Sequence, residues 1–367
     1  MKYIKLYQNH SEYEAEKASG LTLPNVSHCI NEAEVHYNPI TDYSKEYLTF
    51  EILESGTISW SIRTDMGPTV SRTCGKTIYY SRDDGNTWNA LDDTQSNVSI
   101  DVYEGEKIIL KGENDSYGII SDYDYYNRFG NVSNTNTEAT YNISGNILSL
   151  FYGDNFKSYS EFPNISSGKL LMSTIFGYTN VYSAENLIFP SNLTESCFRG
   201  LFMGSNIQIP PKLPYTTLTN GCYNHMFADC TNLTIAPQLP ATTLTQNCYA
   251  YMFNGCTNLV TAPELPATTL VSYCYDSMFR GCTNLVTAPE LLATTLVNNC
   301  YYGMFFDCSS LNYIKAMFTT TPSNSYTFNW VGNVAANGTF VKNSAATWNV
   351  SGNNGIPTGW TVETETP

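Results

Sequence analysis

The 367-residue sequence predicts a mostly β protein with short helices: an N-terminal β-sandwich, then a short solenoid of stacked repeats, then a β cap. Two observations carry that expectation. The pairs Met226-Phe227, Met252-Phe253, Met278-Phe279 and Met304-Phe305 fall 26 residues apart. Each Met has one cysteine four residues before it (Cys222, Cys248, Cys274, Cys300) and another four after it (Cys230, Cys256, Cys282, Cys308). A fixed period in this range marks units that cannot bury their apolar side alone and stack on their neighbours. Upstream, residues 46–155 alternate apolar and polar positions in short runs between turn signals, as in an antiparallel sandwich.

Residues 1–45 read as a lead segment. A helix is expected over 11–18, ending at Gly20, with extended runs over 23–30 and 34–39 broken by prolines. Such a segment buries no core alone, so it is expected to pack on the next domain or on a partner chain. In residues 46–155, strands are expected over 47–53, 57–62, 76–81, 98–102, 107–111 and 139–143. The apolar run 145–154 closes the unit as a strand or a helix.

Residues 156–318 hold the repeats, because Ile175-Phe176 and Leu201-Phe202 continue the beat upstream. In each unit, Cys-Tyr-x-x-Met-Phe-x-x-Cys has apolar positions at i, i+4 and i+8, which predicts a short helix or 3₁₀ stretch. Asn-Leu-Val-Thr-Ala-Pro predicts a brief strand pairing with the units on either side. The return segment predicts Leu244, Leu270 and Leu296 facing inward. Asn180, Asn206, Asn232, Asn258 and Asn284 recur at one place, expected to be an inward ladder bonding backbone groups. The eight periodic cysteines are expected to form columns of buried thiols, although bridges between units are sterically conceivable. Residues 319–367 should cap the stack through Phe328, Trp330, Trp348 and Trp360, with strands near 338–342 and 359–362.

Composition narrows function. A formal charge of -15 excludes nucleic acid and anionic membrane surfaces as natural partners. Met1–His10 has no apolar signal run and the chain has no membrane-spanning stretch, so exit from the cell by another route, such as within a virus particle, is expected. The one catalytic-looking motif, Ser81-Arg-Asp-Asp-Gly-Asn-Thr-Trp88, fits the Asp-box of sialidases. One box in a domain this short reads instead as a hairpin turn, with Asp84-Gly85 turning and Trp88 packing beneath. Asp83, Asp84, Asp92 and Asp93 could ligate calcium but lack a loop of the required alternation, so solvated turns are expected. The run 122–126 is acidic and aromatic, either a recognition loop or a strand edge. No catalytic residue, cofactor or metal site is expected. Recognition is assigned to the variable slots of the repeat: His225, Tyr251, Tyr273, Asp276, Arg280, Tyr302 and Phe306.

The unit Cys-Tyr-x-x-Met-Phe-x-x-Cys-Thr-Asn-Leu-x-x-Ala-Pro-x-Leu-Pro-Ala-Thr-Thr-Leu, carried by residues 170–318, resembles the BspA-type leucine-rich repeats of Bacteroidota surface proteins and of phages infecting those bacteria. It departs from that pattern at Thr179 and Ser205, which replace the second cysteine, and at Leu292, which replaces a proline. The runs 23–27, 34–39, 145–154 and 355–362 are similar to segments in Bacteroides phage proteins, including those of crAss-like phages. These resemblances imply a leucine-rich-repeat solenoid in a virion structural protein, a head or tail fibre at the particle surface. Its N-terminal part would join other virion proteins, its repeats would meet a host glycan or protein, and it would form a homo-oligomer (dimer or trimer). A bacterial cell-surface adhesin is the alternative, and a glycan-degrading enzyme comes third.

Overall fold

A computed structural model describes residues 4–7, 27–30, 42–64, 76–91, 97–119, 125–130, 138–164 and 169–366. The expected helix over 11–18 and the extended run 34–39 lie outside these residues, as do Asp92, Asp93 and 122–124. The chain divides into two compact units, Met1–Asp42 and Tyr43–Pro367. In the first, β1 (Ile4–Tyr7) pairs in parallel with β2 (Ser27–Ile30).

The second unit begins with β3 (Leu48–Glu54), β4 (Gly56–Thr64), β5 (Ile78–Ser81), β6 (Asn89–Leu91), β7 (Asn97–Val102) and β8 (Lys107–Gly112). β9 (Gly118–Ile119), β10 (Tyr125–Phe129), β11 (Thr140–Asn146), β12 (Lys169–Leu170) and β13 (Val181–Ile188) follow. One sheet has the order β13-β11-β3-β8-β5-β6 and the other β12-β9-β10-β4-β7. Their facing side chains interlock: the Phe50 ring stacks on Tyr141 at 4.5 Å and meets Phe129 of the opposite sheet edge-on at 4.9 Å. All six expected strands form. β6, β9, β10 and β12 were not expected, because runs this short or polar carry too little alternation to register. The run 145–154 is both things at once: Gly145 and Asn146 close β11, and Ser149–Tyr152 forms one helical turn. Gly145 has φ +82, and a Cβ there would lie 2.0 Å from the Tyr47 carbonyl, so no other residue fits.

β13 belongs to the first repeat, yet it pairs in parallel with β11. The sandwich and the repeats therefore share a sheet, and one apolar core runs from Leu48 to Trp360. Beyond β13 the strand side thins to single bridges, Ile235 to Thr261 to Thr287 to Tyr313. The cause is the proline two residues further on (Pro237, Pro263, Pro289), which has no N–H to donate to a ladder. Where Lys315 replaces that proline a true strand returns: β14 (Tyr313–Ala316) pairs in parallel with β15 (Thr339–Asn343), and β15 with β16 (Thr361–Glu365).

The Cys-Tyr-x-x-Met-Phe-x-x-Cys segments are not helices. Their backbone enters the left-handed region at every fourth residue, as at Gly221, His225 and Asp229, or Asn247, Tyr251 and Gly255. Successive N–H groups alternate partners. Cys222, Asn224 and Met226 donate three residues back, to Thr219, Gly221 and Tyr223. Tyr223, His225 and Phe227 donate to Cys248, Ala250 and Met252 of the next unit. The result is a ribbon of linked turns, bonded to its neighbours as a strand would be. Its repeat of four explains two adjacent inward residues per turn, which the 3.6-residue α-helical period does not sustain. Tyr223, Met226, Phe227 and Cys230 are accordingly buried.

Stacking in register aligns like with like. Phe129 of the sandwich stacks on Phe176 at 5.8 Å, and the column continues through Phe202, Phe227, Phe253, Phe279 and Phe305 at 5.6–5.8 Å. A second column, Tyr223, Tyr249, Tyr275 and Tyr301, runs at 5.9–6.0 Å. Both end against Trp330, at 6.1 Å. Each such ring pair adds about 0.5–1.5 kcal/mol beyond burial.

The periodic cysteines are free and buried. Cys230, Cys256, Cys282 and Cys308 donate their thiols to the carbonyls of Phe202, Phe227, Phe253 and Phe279 at 3.0–3.1 Å. In an earlier copy the Thr179 hydroxyl donates instead within its own unit, to Phe176 O at 2.7 Å, so the departure from cysteine keeps a carbonyl acceptor but not the link between units. Leu244, Leu270 and Leu296 are buried as expected. The asparagine ladder is not inward. Asn206, Asn232, Asn258 and Asn284 are exposed, and amide bonds to amide, Asn206 to Asn180 at 2.7 Å and Asn284 to Asn258 at 3.2 Å. The inward place is taken by the adjacent leucines (Leu233, Leu259, Leu285), which gain more from burial. In the cap, Trp330, Trp348 and Trp360 are buried, but Phe328 is exposed, because it continues the ribbon's outer side and not its core. No helix among the described residues is long and apolar enough to cross a membrane.

Asn299 is held at φ 51, in a column shared with Gly221 and Asn247. Asn299→Val is expected to cost about 1–2 kcal/mol in urea unfolding, and Asn299→Gly to cost nothing or stabilise. Burial also raises Cys222, Cys230, Cys248 and Cys308 from 9.0 to about 12. Thiols that ionise later in the folded state stabilise it fully below pH 9, and that contribution is lost as pH rises toward 12, by about 1.4 kcal/mol per unit per thiol. Alkaline titration followed by circular dichroism should show cooperative unfolding above pH 9. At neutral pH, a thiol reagent should label none of these cysteines until denaturant is added.

Candidate functional site

Two residues in every four point into the core, and the other two line the outer side of the stacked ribbons, where Ala228, Ala250, Asp276 and Ser277 are nonetheless buried. Its columns follow from the backbone register. His225, Tyr251, Ser277 and Gly303 share one left-handed column, while Tyr273 shares another with Gly221, Asn247 and Asn299. Asp276 and Tyr302 lie in the column just before the first of these, since Tyr251 N donates to Asp276 O and Ser277 N to Tyr302 O.

The structure brings the recognition candidates into contact in three groups. The His225 imidazole lies flat on Tyr251, with centroids 4.5 Å apart and planes 7° apart. Its Nδ1 pairs with the Asn224 side chain, and burial, then the charge of Arg199, lowers its pKa to about 4, so the ring is neutral at physiological pH. Arg280, exposed, carries its guanidinium over the Phe306 ring at 4.9 Å. Tyr302 stacks on Phe328 at 5.3 Å. Phe328, a residue the sequence reading assigned to the cap's core, thus belongs to this face, as does Tyr178 at its other end, whose ring lies 5.1 Å from the Arg128 guanidinium. The signal for both was present: Phe328 lies 26 residues after Tyr302, and Tyr178 lies 26 before Gly204.

Of the seven candidates only Arg280 is exposed; His225, Tyr251, Tyr302 and Phe306 are half-buried. Tyr273 is half-buried at the ribbon's edge. Asp276 is only 8% exposed; it accepts the Ser277 hydroxyl at 2.8 Å, and burial raises its pKa to about 6 against the opposing pull of Arg280. A largely desolvated carboxylate is costly to the fold at neutral pH.

Ring stacking along the His225 column stops at Tyr251, since the next two positions, Ser277 and Gly303, carry no ring.

The Asp-box is a turn. Asp84 and Gly85 take φ 55 and 89 between β5 and β6. The Asp83 carboxylate accepts the Ser81 hydroxyl at 2.7 Å, the Thr87 hydroxyl at 2.7 Å and the Thr87 N–H at 2.8 Å. These bonds, that of Ser81 foremost, lower its pKa to about 2. Trp88 packs on Tyr47, with the Lys111 ammonium 4.1 Å above its ring. Both Asp83 oxygens are thus spent within the turn. Among the described residues, no group of three or more His, Cys, Asp or Glu side chains is placed to hold a metal ion.

No protein-family model, curated protein or solved structure matches the chain.

Asp276 gives a signed pH test. Its pKa rises from 3.8 to about 6 on folding, so the folded state takes up a proton between those values, and stability falls as pH rises from about 4 through 6. Asp276→Asn keeps the acceptor for Ser277. It is expected to raise stability at pH 7 by roughly 1–3 kcal/mol, with no gain at pH 3.5, as measured by chemical denaturation.

Proposed function

We propose that this chain is a non-enzymatic structural protein of a phage particle, a head or tail fibre, whose BspA-type leucine-rich-repeat solenoid adheres to the host surface. The observation that carries the adhesive part is the outer ribbon face. There the packing slots of each unit are spent on rings, thiols and leucines, while the remaining slots gather His225, Tyr251, Arg280, Tyr302, Phe306 and Phe328 on one side. A continuous face of aromatic rings, amides and one exposed guanidinium suits a host glycan or protein loop better than it suits turnover chemistry. The 26-residue repeat and its resemblance to BspA-type units support the solenoid reading. The backbone bonds running from each unit to the next support it too. The virion assignment rests on the flanking resemblances, with the N-terminal part joining other virion proteins and the chain forming a dimer or trimer for avidity.

A bacterial surface adhesin would use the same face, so adhesion and particle membership are tested apart. Full-length protein should bind intact Bacteroidota cells or their isolated surface polysaccharide. A Tyr251→Ala/Arg280→Ala double variant of unchanged circular dichroism should bind at least tenfold more weakly. Equal binding by the variant removes the face from the proposal. A chain missing from purified phage particles by mass spectrometry removes the virion.

A further inference from the structure

A cleft of about 480 Å³ opens where the sandwich meets the first repeats, lined among others by Lys45, Asn146, Lys157, Tyr159, Pro190 and Tyr215. Its walls come from five separate segments, several of them tied to one another. Asn146 donates to Ser44 O at 3.0 Å, Ser191 N donates to Ser160 O at 2.6 Å, and the Tyr215 hydroxyl donates to Pro190 O. A cleft built this way is formed before any ligand arrives, so binding need not order it.

Its charge is opposite to that of the chain. Acidic residues outnumber Lys and Arg by 33 to 18, yet the lining holds two lysines and no carboxylate. Neither ammonium forms an ion pair among the described residues. Asp154, which feels the charge of Lys157, is already held by Lys111 at 2.8 Å and by the Tyr47 hydroxyl at 2.7 Å. The Lys157 ammonium lies 5.7 Å from the Tyr47 and Phe156 rings, and Lys45 donates to the Lys157 carbonyl at 3.5 Å, which ties the two lysines' segments together at the cleft. Beside them stands Tyr159, 48% exposed, its ring held flat against Tyr152 at 3.8 Å and 3°. A fixed exposed ring in a cleft lined by two lysines and no carboxylate is the complement of a sugar ring that carries a carboxylate: the apolar ring face lies on the tyrosine and the anion is drawn by the lysine charge.

We propose that this cleft binds an acidic sugar residue, a uronate unit of a polysaccharide. None of the ribbon residues discussed above lines it, so this site stands or falls separately from the adhesive face.

The test is isothermal titration calorimetry of the full chain with tetragalacturonate and with a hyaluronan tetrasaccharide, against neutral chitotetraose. At least one uronate oligosaccharide should bind, with affinity falling as salt rises, and chitotetraose should bind at least tenfold more weakly. Lys45→Gln and Lys157→Gln, both at exposed positions, should each weaken binding roughly two- to fivefold. Tyr159→Ala should weaken it too, and Tyr251→Ala should leave it unchanged. The proposal is overturned if neither uronate binds, if chitotetraose binds equally, or if the double lysine variant keeps wild-type affinity. Inorganic phosphate or acetate binding as tightly as the oligosaccharides would also overturn it, by showing a bare anion site with no role for the ring.

Discussion

Everything in the repeat region depends on the alternation of backbone donors along the ribbon. Half of the N–H groups close turns within their own unit, and half reach the next unit, as Tyr223, His225 and Phe227 do. That alternation is possible only because the chain turns left-handed at every fourth residue, a conformation costing roughly 1–3 kcal/mol at each non-glycine position. The cost is offset collectively, since a buried backbone donor without a partner would cost as much or more. Residues at these points are therefore glycine, asparagine, aspartate or serine where nothing else is asked of them. Thr174, Tyr178, His225, Tyr251 and Tyr273 break that preference; Thr174 is buried, and the four ring-bearing residues are half-buried or exposed.

The same alternation dictates the interior. A unit bonded to its neighbour at every second residue has no freedom to slip, so equivalent side chains must meet equivalent side chains. Phenylalanine and tyrosine tolerate this self-association because offset rings attract; thiols tolerate it because they are small, weakly polar and can donate to the carbonyl beneath. Charged residues would not, and none occupies the ring or thiol columns.

Much of this was readable beforehand, and the failures are instructive. The sandwich strands, the inward leucines and the buried thiols follow from alternation and period alone. The ribbon was misread as a short helix because i, i+4 and i+8 spacing fits both a helix and a chain of four-residue turns. The adjacent inward pair, Cys-Tyr and Met-Phe, was the distinguishing mark. The asparagines were misplaced because a repeated polar residue can bond its own kind at the surface as readily as it can serve backbone inside. Phe328 was assigned to the core on hydrophobicity, whereas its register with Tyr302 placed it outside. The cleft of Lys45, Lys157 and Tyr215 was invisible, since its walls are distant in sequence and join only once β13 docks on β11.

The phenylalanine column that begins at Phe129 and ends at Trp330 has one further implication. Every internal junction in it is the same junction, ring on ring and donor on carbonyl, and only the two ends are specialised. A gene copying error that adds or drops a whole unit would thus leave no mismatched seam, while one that adds a partial unit would break every donor above it. Length can therefore change in whole steps without redesign of either end, and each added step brings further outer slots that packing leaves free to vary.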